Sequence, residues 1–92
     1  MIKSFRHKGL KRLFEIGDRR GVDGSLANRV RRQLDVLNRA RTASDMNLPG
    51  YRLHQLKGSR SGTWSVTASG NWRITFRFAG EDAFDVDLED YH

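Results

Sequence analysis

Asn71-Trp72-Arg73-Ile74-Thr75-Phe76-Arg77-Phe78, followed after a short turn by Ala83-Phe84-Asp85-Val86-Asp87-Leu88-Glu89, is the stretch that decides the fold. In the first run Trp72, Ile74, Phe76 and Phe78 point one way, while Asn71, Arg73, Thr75 and Arg77 point the other. In the second, Phe84, Val86 and Leu88 alternate with Asp85, Asp87 and Glu89. A period of two belongs to a pleated strand with one face buried, so the two runs predict an antiparallel pair with an apolar and a polar face. Setting Phe78 opposite Phe84 places Arg77 across from Asp85, Arg73 across from Glu89 and Asn71 across from Tyr91. A slip of two residues would change these pairs but leave every side chain on its face.

Upstream, Tyr51 to Leu56 and Thr63 to Thr67 read as further strands, with turns at Gly58 to Gly62 and Ala68 to Gly70. Before Pro49-Gly50 the period changes. Leu10, Leu13 and Phe14 have helical spacing over Lys8 to Ile16, with Gly17 as a stop, and Leu26, Val30, Leu34 and Leu37 form one stripe over Ser25 to Ala40. Ile2 to Phe5 reads as an opening strand free to join a sheet edge. Two or three helices on one curved, mainly antiparallel sheet of about five strands is an α+β architecture, because each amphipathic helix must bury its stripe on the sheet. Residues 1–92 are expected to form one domain.

The chain has no cysteine, which excludes disulfides and thiolate metal sites. No histidine and carboxylate motif with metal-ligand spacing is present either, so neither metal nor other cofactor is expected. No apolar run approaches the roughly 20 residues of a membrane span, and Met1 to Lys11 lacks the apolar core of a signal peptide. A cytoplasmic, non-membrane protein is therefore expected. The net charge of +6 is unevenly spread, with 15 Lys and Arg against 5 acids in residues 1–60 and 2 against 6 in residues 61–92. Such a basic portion suits a polyanionic partner, although solvated helix faces with Arg29, Arg31, Arg32, Arg39 and Arg41 would give the same count.

Asp90-Tyr91-His92 follow directly on the last alternating strand, which would hold them in place. His54 and Lys57 lie near a strand end and its turn, in Leu53-His54-Gln55-Leu56-Lys57-Gly58. Alone, His54 reads as a hydrogen-bonded structural histidine and Lys57 as an exposed cation. Together with Arg73 and the three final residues they supply proton carriers and phosphate-binding cations.

These pieces resemble the HigB branch of the RelE/ParE superfamily of bacterial toxins. The resemblance rests on Ile2-Lys3-Ser4-Phe5, His7-Lys8-Gly9-Leu10-Lys11, Leu53 to Gly58, Gly62-Thr63-Trp64-Ser65-Val66, Asn71 to Phe76 and Glu89-Asp90-Tyr91-His92. Residues 17–50 match mainly in helical pattern. The resemblance implies a microbial RNase-like (RelE) fold and a ribosome-dependent endoribonuclease, an mRNA interferase that cuts mRNA in the 30S A site without a metal, the substrate's 2′-hydroxyl attacking the neighbouring phosphorus. It implies Asp90 or His54 as base, His92 as acid, Arg73 as phosphate clamp with Lys57 as a second charge, and Tyr91 as a stacking or donor group. It also implies a cognate antitoxin with a helix-turn-helix domain, through which operator DNA would be bound. RelE itself relies mostly on Lys, Arg and Tyr, so only the HigB-like positions carry over. Two other readings are a ParE-like, non-enzymatic gyrase inhibitor and a plain basic nucleic-acid-binding module.

Overall fold

Helix α1, Lys8–Ile16, starts where His7 stays extended and its Nδ1 accepts the Leu10 N–H at 3.1 Å. It stops at Gly17, whose φ of 72° is the left-handed conformation that glycine adopts without a Cβ penalty. In the computed structural model, which describes residues 1–91, α2 spans Gly24–Arg39 with Asp23 as its cap, the carboxylate accepting the Ser25 N–H at 2.8 Å. The expected stripe is buried: Leu26, Val30, Leu34 and Leu37 all lie in the core. Gln33 is buried with them, and its Nε2 donates to the Thr67 carbonyl at 2.9 Å, fastening α2 to the sheet.

The sheet contains β1 (His54–Gln55), β2 (Trp64–Ser69), β3 (Trp72–Ala79) and β4 (Asp82–Asp90), antiparallel and in chain order. Short 3₁₀ turns at Ala43–Met46 and Gly58–Arg60 complete the described elements. This is the expected α+β architecture. β1 is shorter than the expected Tyr51 to Leu56, since Arg52 takes a φ of 51° that interrupts the extended run. The flanks still run along β2, with Thr67 N–H donating to the Tyr51 carbonyl and Leu56 N–H to the Thr63 carbonyl.

The decisive pair, β3 and β4, has the expected register over its inner half: Arg73 opposes Glu89, Ile74 opposes Leu88 and Thr75 opposes Asp87. Beyond Thr75 the register shifts. Arg77 opposes Phe84 rather than Asp85, and Phe78 opposes Ala83 rather than Phe84. Two β4 residues, Asp85 and Val86, therefore face Phe76 alone, and Asp85 takes a φ of 55°. Such a bulge flips the faces of the residues beyond it. Ala83 consequently enters the core with Val86 and Leu88, whereas Phe84 is only half-buried.

The opening segment runs parallel to the outer edge of β4, with bridges Ile2 to Ala83 and Phe5 to Val86. Its ladder includes Lys3 N–H to the Ala83 carbonyl and Arg6 N–H to the Val86 carbonyl, both 2.8 Å. β4 is thus held on both sides from Ala83 to Val86, and its far end, Leu88 to Asp90, by β3.

Candidate active site

β1, β3 and β4 bring their polar ends to one cleft of about 380 Å³. His54, Lys57, Arg73, Asp90 and Tyr91 all line it. His92, the remaining candidate, lies outside the described residues. Arg73 is central: its Nη1 lies 3.4 Å from His54 Nε2, and its guanidinium carbon sits 3.4 Å from the centroid of the Tyr91 ring. Tyr91 is held by its backbone N–H, which donates to the Asn71 carbonyl at 2.7 Å. The expected pairing of Asn71 with Tyr91 is therefore present.

His54 Nδ1 lies 3.2 Å from the Arg52 carbonyl, which can only accept, so that bond places the ring hydrogen on Nδ1. In the neutral ring Nε2 then carries the lone pair, turned toward Arg73 and toward Ser65 Oγ at 3.4 Å. The positive φ of Arg52 thus has a consequence, since it aims a carbonyl at the ring two residues on. Lys57 precedes the Gly58–Arg60 turn, where Gly58 has a φ of 70°. Asp90 ends β4 opposite Trp72.

Arg60, Thr75 and Glu89 also line the cleft and were not among the site candidates read from the sequence. Arg60 grips Glu89 with both guanidinium arms, at 2.8 and 2.6 Å, and Thr75 Oγ1 donates to the same carboxylate at 2.6 Å. The Arg60 bond, aided by Thr75, holds the Glu89 carboxyl below its ordinary range against the opposing effect of partial burial. Arg60 is correspondingly raised, with Glu89 as the main cause. Glu89 thus ties the Gly58–Arg60 turn to β4 and β3 beneath the cleft. Its place on the polar face of β4 was legible, but no local pattern pairs it with a residue 29 positions away. Among the described residues no group of three or more His, Asp or Glu converges as metal ligands would.

Arg29, counted in the expected basic helix face, is instead turned onto the fold. Its guanidinium lies 5.8 Å from the Tyr51 ring centroid, and Nη2 reaches the Gly50 carbonyl at 3.4 Å.

The chain is 48% identical over 92 residues, the full length of both proteins, to the protein named Endoribonuclease HigB of Proteus vulgaris. It is 29% identical over 91 residues to Toxin HigB-1 of Vibrio cholerae serotype O1, covering 97% of this chain and 96% of the relative. Residues 3–92 match the family described as the RelE-like toxin of type II toxin-antitoxin system HigB. On that near-complete match, and on the α+β fold that accompanies it, the chain belongs to the HigB family of RelE-like toxins.

Proposed function

We propose that this protein is the endoribonuclease toxin of a type II toxin-antitoxin module, one that cuts mRNA in the ribosomal A site and thereby stops translation. The observation that carries the catalytic reading is the position of Arg73, within 3.4 Å of both the His54 Nε2 atom and the Tyr91 ring centroid. A planar guanidinium can hold two phosphate oxygens at once and stabilise the charge that grows on them during attack. A phosphate held there would lie beside the Nε2 lone pair.

In this reaction the base removes the proton of the substrate 2′-hydroxyl, the oxygen attacks phosphorus, and the 5′ oxygen departs with a proton from the acid. The products are a 2′,3′-cyclic phosphate and a free 5′-hydroxyl. The base is His54 or Asp90: the Nδ1 bond to Arg52, which leaves Nε2 as acceptor, supports His54, and Asp90 on the same cleft is the other group able to take this proton. His92 is the acid in this scheme. Tyr91 is 56% exposed, which leaves its ring open to a base or its hydroxyl to a phosphate. Lys57 adds a cation at the rim. No metal is required.

As a toxin, the chain would be held by a cognate antitoxin, with operator DNA bound through the antitoxin's helix-turn-helix domain, and the chain would act as one cytoplasmic domain. A ParE-like gyrase inhibitor would have no use for the convergence of His54, Arg73 and Tyr91.

Programmed ribosomes and free RNA, each incubated with the protein, test the reading through the ends they yield. A 2′,3′-cyclic phosphate or the derived 3′-phosphate is expected, and deoxyribose at the scissile position should abolish cutting. Cleavage that survives the deoxyribose substitution would overturn the mechanism, and gyrase inhibition without RNA cutting would overturn the function.

A further inference from the structure

The polar face of the sheet does not end at the cleft. Arg60 and Thr75, which line it, also line a second depression of about 170 Å³, together with Arg6, Ser59, Thr63, Arg77 and Asp85. We propose that Arg6, Arg60 and Arg77 form a second phosphate-binding subsite that grips the backbone of the single-stranded RNA being cut. The inference rests on the endonuclease reading above and extends it from the scissile phosphate to a neighbouring one.

Three features support it. Arg73 and Arg77 lie four residues apart on β3, roughly 13 Å at the rise of a strand, so their guanidiniums address different points along one polymer. Secondly, neither Arg6 nor Arg77 has an ion pair among the described residues, although the Arg6 charge helps to lower the Glu89 carboxyl. The ion pairs among the described residues are Met1 with Asp82, Arg20 with Asp18, Arg41 with Glu81 and Arg60 with Glu89, and they include neither side chain. The bulge explains why Arg77 lacks the ion pair expected with Asp85: Arg77 opposes Phe84, and Asp85, at φ 55° with its N–H on Ser4 Oγ at 2.8 Å, lines the same depression without pairing with it. Thirdly, Arg77 is supported from below. A Cβ on Gly62 would lie 3.5 Å from Nη2, so the guanidinium rests against that turn.

The charge balance favours an anion. Arg6, Arg60 and Arg77 surround a space with Asp85 as its own carboxylate, and because Glu89 and Asp87 both act on Arg60, the remaining positive charge of the lining rests on Arg6 and Arg77. Ser59 and Thr63 add hydroxyl donors. Guanidiniums with hydroxyls suit phosphate oxygens, and a chain that already presents one phosphate to Arg73 carries others further along the strand.

The test is salt-dependent binding of a fluorescent RNA oligonucleotide with deoxyribose at the cleavage position, alongside cleavage of mRNA on programmed ribosomes. For a variant carrying Arg6→Ala and Arg77→Ala, affinity is expected to fall about tenfold or more, and the slope of log K against log salt to become shallower by about 0.7, the contribution of one phosphate contact on single-stranded RNA. The ratio kcat/KM should fall by a similar factor, carried by KM. Lysine at both positions should restore much of the slope, because the charge returns without the fork. A folded alanine variant with unchanged affinity and slope, while the parent cuts RNA, would overturn the subsite alone. A parent that neither binds nor cuts RNA would overturn both readings. Polyglutamate competing as well as RNA would also overturn the RNA assignment, handing the surface to an acidic peptide.

Discussion

Arg73 shows how much one side chain can depend on its neighbours. Its outward direction follows from strand alternation, but its worth comes from Tyr91, just past the end of β4, stacked on it and His54 of β1 beside it. Replacing it with alanine should lower the single-turnover cleavage rate on programmed ribosomes by roughly 10² to 10³, the scale for losing a donor to developing charge. Arg73→Lys should recover little of this, because an ammonium lacks both the two-pronged fork and the flat face. A lysine variant with near-parental rate would mean that charge alone is needed. His54, Lys57, Asp90 and Tyr91 were all legible as candidates, because proton carriers and cations at a strand end stand out against an apolar alternation. Arg60 was not. It looks like one more surface arginine until the fold sets it on Glu89.

At the scale of elements, helix boundaries were the most legible feature and the bulge the least. Helix α1 matched its expected span, and α2 differed by one residue at each end, because capping groups and apolar spacing are local signals. The bulge at Asp85 is not local. It is set where the opening segment must bond β4 through Ser4 and Arg6 while β3 bonds its other edge. Helix α1 also carries a constraint invisible to propensity. A Cβ on Gly9 would fall 2.4 Å from the Gly21 carbonyl oxygen. Helix propensity alone makes Gly9→Ala stabilising by about 1 kcal/mol, whereas overpacking against backbone costs about 1 to 3 kcal/mol. The clash should prevail, and thermal melts should show Tm lowered by several degrees, about 4 to 8 °C per kcal/mol in a domain this size. A raised Tm would mean that the connector yields.

For the whole molecule, the Arg60, Glu89 and Thr75 cluster links the candidate cleft to acid stability. The Glu89 carboxyl is lowered in the folded state from its ordinary 4.5, so its contribution is fully present above that value and is lost as pH falls through the lower folded value. Urea melts should therefore find the parent more stable than Glu89→Gln at pH 7, with the difference shrinking below about pH 4.5. A difference constant across that range would detach stability from this charge. What the sequence by itself determined was the set of local periodicities and caps, hence two helices on an antiparallel sheet and the face of the strand residues up to the bulge, though not of Ala83 and Phe84 beyond it. Those follow from short-range backbone geometry. Only the tertiary structure decided which residues meet: Arg60 with Glu89, Arg73 with His54 and Tyr91, and Arg77 freed from Asp85. Those contacts depend on register and on a bulge formed between distant segments, and an alternating pattern is satisfied equally well by several registers.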